Sequence, residues 1–318
     1  MRLRWRILKL GLPKLCVALT VSVLALAANQ AFAQELEPAL YRNAPVGLNA
    51  IGVSYGHSGG NVLVDSALPL EDVEGSLDLV MLAYVRTLDF FGLSAKIDAS
   101  IPYVWGGYEG LVDGEFRTRD LVGWGDPRFR FAVNLFGAPA LNVKEFARYR
   151  QKTIVGAEIQ VTAPAGKYEP DRFFNLGANR WAFRPEIGIS REWRRWYFEL
   201  AGGGLFFTAN NEFFGGQTLQ QNPFYSVKGH IIRGFRPGLW LAFNFGYGRG
   251  GEIKVNGVEN GNIQSNVRLG CTLAIPLRPR NALRVIYASG VRTRFGADFD
   301  ALAVVYQYSW GGKGRPRS

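Results

Sequence analysis

Thr153-Ile154-Val155-Gly156-Ala157-Glu158-Ile159-Gln160-Val161-Thr162-Ala163 alternates between two kinds of side chain. Val155, Ala157, Ile159 and Val161 fall on one side of an extended chain; Gly156, Glu158, Gln160 and Thr162 fall on the other. A period of two marks a strand whose faces meet different surroundings. Working outward, the pattern recurs. Phe129, Phe131, Val133 and Leu135 oppose Arg128, Arg130, Ala132 and Asn134. Leu239, Leu241, Phe243, Phe245 and Tyr247 oppose Ala242, Asn244, Gly246 and Gly248. Val267, Leu269, Cys271, Leu273 and Ile275 oppose Asn266, Arg268 and Thr272.

Twelve such strands are expected, at 47–56, 77–88, 90–101, 121–136, 153–163, 181–190, 196–208, 222–232, 237–248, 263–275, 281–291 and 299–310. Most reach the roughly 9–11 residues that a tilted strand needs to cross a bilayer. Their connections alternate in length. Short ones lie near Asp89, at Arg191–Arg195, at Arg233–Arg236 and at Pro276–Arg280. The segments 57–76, 102–120, 164–180, 209–221 and 249–262 are longer and rich in Gly, Asn, Asp and Glu. Short inner turns and long outer loops are the habit of outer-membrane barrels. The parity puts both termini on the short-turn, periplasmic side. The fits at 137–152, long for a turn, and 292–298, short for a loop, are poorer.

The fold class is therefore all-β: a closed antiparallel transmembrane barrel of about twelve strands over residues 47–310. Closure follows because lipid satisfies no free backbone N–H or C=O. The inward sides would carry Lys96, Asp98, Arg128, Arg130, Glu158, Arg184, Glu186, Glu199, Lys228, His230, Arg268 and Arg284 as candidate lumen-lining residues. Such charges suit a wet bore, and a dry core accepts them only in costly pairs. A soluble sandwich with these residues on a solvated face is the competing fold. Aromatic residues at strand ends favour the barrel. Tyr103, Trp105, Trp124, Trp193, Trp196, Tyr306, Tyr308 and Trp310 are placed for membrane headgroups.

Residues 1–33 read as a secretory signal peptide. A basic start at Arg2, Arg4, Arg6, Lys9 and Lys14 precedes an apolar run, with Ala31-Phe32-Ala33 at its exit. Residues 34–46 are a lead-in and 311–318 a short basic tail. Removing the leader takes the formal charge from +11 to about +6, with 32 basic against 26 acidic residues. That scattered excess argues against nucleic acid as a partner and fits contact with outer-membrane lipids. Only Cys271 survives cleavage, so no internal disulfide can form.

Chemistry is sparse. Gly52-Val53-Ser54-Tyr55-Gly56 satisfies a nucleophile pattern, but lies within a strand, not a strand-to-helix turn. Only His57 and His230 could serve as bases, and two distant histidines do not make a zinc site. Asp65, Glu71, Asp72, Glu74 and Asp78 offer hard oxygen ligands for Ca²⁺ in the first outer loop, or simply an acidic, solvated loop. No catalytic residue, cofactor or metal is expected. Small turns explain Gly125-Asp126-Pro127 and Pro164–Lys167, although Asp126, Arg180 and Glu186 could form a polar network.

Several of these segments resemble the outer-membrane transporter family associated with meta-pathway phenol degradation. The resemblance rests on Gly123-Trp124-Gly125-Asp126-Pro127, Pro164-Ala165-Gly166-Lys167-Tyr168, Asn175-Leu176-Gly177-Ala178-Asn179-Arg180-Trp181, and Phe183-Arg184-Pro185-Glu186-Ile187-Gly188. It implies a barrel that takes up hydrophobic or aromatic compounds. The aromatic last strand resembles the signal read by the outer-membrane insertion machinery, although the tail departs from the usual terminal position. The expectation is a passive channel for a small solute. A sealed structural or adhesion barrel is the second reading and a lipid-modifying enzyme the third. Among the wall residues, Arg128, Arg130, Arg184, Arg268 and Arg284 would bias a pore toward anions.

Overall fold

The computed structural model describes residues 36–63, 70–112, 114–172, 174–259 and 261–312. The expected leader and most of the basic tail lie outside the described residues, as does Asp65. In chain order the strands are β1 (Leu48–Leu63), β2 (Leu70–Phe90), β3 (Leu93–Val112), β4 (Glu115–Trp124), β5 (Arg128–Phe136), β6 (Thr153–Thr162), β7 (Ala182–Trp193) and β8 (Trp196–Phe207). There follow β9 (Asn210–Phe213), β10 (Gln217–Gln221), β11 (Phe224–Arg236), β12 (Leu239–Gly250), β13 (Ile253–Val255), β14 (Val258–Glu259), β15 (Gln264–Arg278), β16 (Asn281–Arg292) and β17 (Gly296–Gly311). One short helix, α1 (Val143–Phe146), opens on an Asn142 cap whose side chain accepts from Lys144 and Glu145 N–H groups.

Twelve antiparallel strands close into a barrel. The seam joins β1 to β17 from Leu48↔Gly311 to Leu63↔Gly296. β1 in turn pairs β2, and the ladder runs neighbour to neighbour through β3, β5, β6, β7, β8, β11, β12, β15 and β16. The short turns gather at one end. Phe91 (φ 53°) and Gly92 (φ 83°) make one of them, with Asp89 accepting from the Gly92 N–H at 2.7 Å. Among the described residues, no helix is long and apolar enough to cross a membrane.

The quoted strand behaves as its alternation demands. Ile154, Gly156, Glu158 and Gln160 are buried within the barrel, while Ile159 faces out. The same phase exposes Ile187, Leu200, Phe243 and Leu302 around the outside, the surface a hydrocarbon layer covers. Rings pair on this outer surface at both ends. Tyr103 meets Trp124 and Trp105 near the long loops; Tyr84 and Tyr308 meet Trp310 near the short turns.

Three boundaries differ from expectation. Residues 121–136 are not one strand. β4 and β5 both lie along β3, but the ladder breaks at Gly125-Asp126-Pro127, opposite Pro102. Neither proline has an N–H to give, so the Gly125 N–H to Pro102 carbonyl bond (2.8 Å) bridges the gap. The segments 57–76 and 102–120 are largely strand, because β1 to β4 run on beyond the shared barrel wall as hairpins. Outside lipid, a ladder no longer needs an apolar face, so its alternation fades from the sequence while its backbone pairing continues. The segments 209–221 and 249–262 form a small second sheet, β14-β13-β10-β9, around Phe213, Leu219, Ile253 and Val255.

Candidate functional site

The lumen is the site, and it has two unlike halves. Toward the short turns its wall is charged. Strand phase turns each of the expected lining residues, Lys96 to Arg284, to the inner side. Arg130 binds Asp98 at 2.7 Å and lies 3.6 Å from Glu158. Arg184 donates to Gln160 at 2.8 Å and lies 3.8 Å from Glu158. Lys228 pairs with Glu186 at 2.6 Å, and Arg284 donates to Gln307 at 3.1 Å. His230 meets Asn244 at 2.9 Å, and Asn244 donates to Thr272, a polar rung across β11, β12 and β15. Glu199 accepts from Ser190 at 3.1 Å. Arg128 and Arg268 complete the wall, with Arg268 buried. The arginines proposed as an open anion path are thus largely engaged by acids or amides of the wall.

What fills this half is the segment that leads into β1. Residues 36–46 run inside the barrel before entering β1. Glu37 binds Arg130 at 2.7 Å, the Ala39 N–H donates to Glu199 at 2.7 Å, and Lys96 donates to the carbonyls of Leu40 (2.6 Å) and Arg42 (2.9 Å). The Tyr41 hydroxyl donates to Glu186 at 3.2 Å. Its ring lies in a slot made by two inward glycines of neighbouring strands. A Cβ at Gly156 or Gly188 would stand 2.3 or 2.2 Å from that ring. Arg42 lies 3.9 Å over the Tyr197 ring, near Trp240. Sequence reasoning treated this segment as a lead-in because it carries no periodicity. The available signal was indirect: paired glycines at inward positions of strands otherwise lined with charge, space that another side chain must fill.

Toward the long loops the wall turns apolar. Val62, Val73, Leu77, Val104, Tyr108, Leu121 and Phe299 face inward there, and the β6–β7 connection folds in to place Phe174 and Leu176 among them. The long connections 57–76, 102–120 and 209–221 are mainly strand among the described residues; the inward-folding one is the β6–β7 connection. Asp126 fastens it, accepting from the Gly166 and Ala178 N–H groups at 2.8 Å each. Asp126, Arg180 and Glu186 do not form one network. Arg180 donates to Gln221 and stacks over Phe207 at 4.3 Å, while Glu186 belongs to Lys228 and Tyr41.

The nucleophile-like stretch is resolved by strand parity. Ser54 is buried on the inner side, whereas His57 lies on the opposite face, 3.1 Å from Asp78 and near Tyr55. Among the described residues no group of three or more His, Cys, Asp or Glu side chains is placed to hold a metal ion.

Comparison with known proteins sharpens this. A family described as the MetA-pathway of phenol degradation matches residues 54–302. The chain belongs to that family. Among solved structures, an outer membrane channel from Pseudomonas putida F1 is similar at 21% identity and a TM-score of 0.72, over 87% of this chain and 100% of that one. The transport unit of the autotransporter AIDA-I from Escherichia coli matches at 11% identity and a TM-score of 0.51, over 90% and 98% of the two chains. The β domain of the Bordetella autotransporter BrkA matches at 10% identity and a TM-score of 0.50, over 83% and 100%. No curated protein sequence matches. At these identities the likeness establishes the fold alone.

Proposed function

We propose that this protein is an outer-membrane channel through which a small solute passes by diffusion, gated by its own N-terminal segment. The observation that carries the reading is how that segment is held. Glu37, Ala39, Leu40, Tyr41 and Arg42 are tied to the wall by polar contacts, which water can replace, beside one small apolar cluster of Leu40 and Tyr41 with Ala138, Ile154 and Ala201. A charged bore with a polar tether is suited to opening; a dry, interdigitated core is not. The long-loop end faces outward and the termini face the periplasm, following the asymmetry of such barrels. The family description supports a hydrophobic or aromatic solute, and the chemistry expected is transport without reaction. The closing aromatic strand suits recognition by the insertion machinery.

Single-channel recording and liposome swelling test this. Wild-type protein is expected to show a small conductance, and deletion of residues 36–44 to enlarge it several-fold. A deletion variant that folds yet passes neither ions nor sugars would favour the sealed structural barrel. That second reading draws on the inward-folded 164–180 connection, which narrows the other half of the bore.

A further inference from the structure

The fold gathers the basic excess that is scattered along the sequence. Around the β7–β8 turn the chain reads Arg191-Glu192-Trp193-Arg194-Arg195, around the β11–β12 turn Arg233-Gly234-Phe235-Arg236, and around the β15–β16 turn Pro276-Leu277-Arg278-Pro279-Arg280. The β5–β6 connection adds Lys144, Arg148, Arg150 and Lys152. With Asp89 of the β2–β3 turn included, these short connections carry eleven basic against three acidic side chains. The segments 57–76, 102–120, 164–180, 209–221, 249–262 and 292–298, at the other end, carry nine basic against fourteen acidic. The barrel therefore has a positive and a negative end.

The cations at the positive end occupy one arc. β5, β6, β7, β8, β11, β12, β15 and β16 follow one another around the wall, so the four basic connections sit side by side. Outside that arc, the tip of the β2–β3 turn offers Asp89 and no cation. Arg191, Arg194, Arg195, Arg236, Arg278 and Arg280 are all exposed. Among the described residues, none of Arg194, Arg236, Arg278 and Arg280 is paired with a carboxylate. Large apolar side chains stand between them: Trp193 is 58% exposed, Leu277 52% and Phe235 48%. The Arg233 guanidinium lies 4.9 Å over the Trp196 ring, and that of Arg194 lies 5.5 Å from the Trp193 ring. Outward indole rings at strand ends stand at headgroup depth, so guanidinium groups resting on them stand at the level of lipid phosphates. The guanidinium fork matches a phosphate in two parallel hydrogen bonds. A protein docked beneath the barrel would meet the cations but leave the outward rings uncovered.

We propose that this arc is a collar for anionic phospholipid. It holds the phosphodiester headgroups of lipids with net negative charge, phosphatidylglycerol being the simplest, in the leaflet that borders the periplasm. The acidic end of the barrel repels the same lipids. The sidedness rests on the orientation given above, with the short turns in the periplasm; the lipid contact does not.

Spin-labelled phosphatidylglycerol and phosphatidylcholine, each added to the full barrel in phosphatidylcholine bilayers, test the collar. The fraction of label immobilised on the protein gives the relative association. Phosphatidylglycerol is expected to associate about threefold more strongly than phosphatidylcholine, and the ratio to fall toward unity at about 0.5 M salt, where exposed charges are screened. Arg194→Gln, Arg195→Gln, Arg236→Gln and Arg280→Gln combined should bring the ratio near unity at low salt. Arg117→Gln with Arg172→Gln, at the other end, should leave it unaltered. Equal association of the two lipids with wild type, a ratio indifferent to salt, or one retained in the fourfold variant would each overturn the collar. Binding of a polyglutamate peptide by the same arginines without any lipid preference would overturn it in favour of an acidic protein partner. Should the fourfold variant not insert, the salt series on wild type decides alone. Orientation is scored separately, with Arg194→Cys in a Cys271→Ser background. A bulky, membrane-impermeant maleimide is expected to reach that cysteine only after cells are broken. Labelling on intact cells would overturn the sidedness and the orientation behind it, while the lipid ratio still judges the collar.

Discussion

At the scale of single residues, Gly156 and Gly188 set how the segment ahead of β1 fits the charged half of the bore. They leave the slot in which the Tyr41 ring lies. Gly188→Val is expected to evict that ring and raise single-channel conductance toward that of the 36–44 deletion, while a wild-type conductance would show that Tyr41 does not depend on the slot. Lys228→Met should act on stability. It strands the buried Glu186 carboxylate, whose partner lies at 2.6 Å, at a cost of about 3 kcal/mol, read as an earlier midpoint in urea unfolding from lipid. At this scale alternation alone turned the wall residues inward, from Lys96 to Arg284. Tyr41 and Phe174 were not legible. Each reaches its place from a segment without period, and its partners are fixed only once the sheet has closed.

Elements were legible in proportion to the contrast between their two surroundings. β6, β7 and β12 separate apolar from polar positions cleanly and stand within three residues of expectation. Leu200 of β8 is on the lipid side, 56% exposed; Leu200→Arg is expected to cost about 2–4 kcal/mol if it lies near mid-bilayer, measured by the same unfolding assay. Where β1 to β4 extend past the membrane, that contrast is lost and loops were expected instead. Gly125–Pro127 was legible as a small turn but not as the end of one strand and the start of another, because β4 and β5 keep a common line along β3. The β6–β7 connection has an electrostatic tether of its own. Burial pushes the Glu169 carboxyl up, but Arg119 at 3.1 Å and Lys167 at 3.4 Å outweigh it and hold it below the usual carboxylate range. A lowered carboxylate contributes its stability above the unfolded value and loses it as pH falls through the folded one. Hydrogen exchange across 169–178, corrected for the intrinsic rate, should therefore stay constant down to the ordinary carboxylate range and rise only below it. A rise beginning near neutrality would contradict the tether.

For the molecule as a whole, opening leaves the net charge of the bore unchanged, because residues 36–44 carry one acid and one base, Glu37 and Arg42, but it uncovers the wall. Excising residues 36–44 removes Glu37 from Arg130 and leaves a wall in which Lys96, Arg128, Arg130, Arg184, Lys228, Arg268 and Arg284 outnumber Asp98, Glu158, Glu186 and Glu199. The deletion variant is expected to shift its reversal potential toward anion preference relative to wild type. An unchanged or cation-shifted potential would mean that the wall arginines remain neutralised by their neighbours. Strand count and closure were legible at this scale because a period of two and the demands of lipid leave few alternatives. The contents of the bore were not, since nothing in a wall's alternation says what stands behind it.

The seam between β1 and β17 also has a bearing on how the molecule is made. β1 follows directly on the residues inside the bore, so the first stave of the wall is tied to its stopper. The stopper must be gathered in before the last stave is hung, or be threaded back through a finished ring.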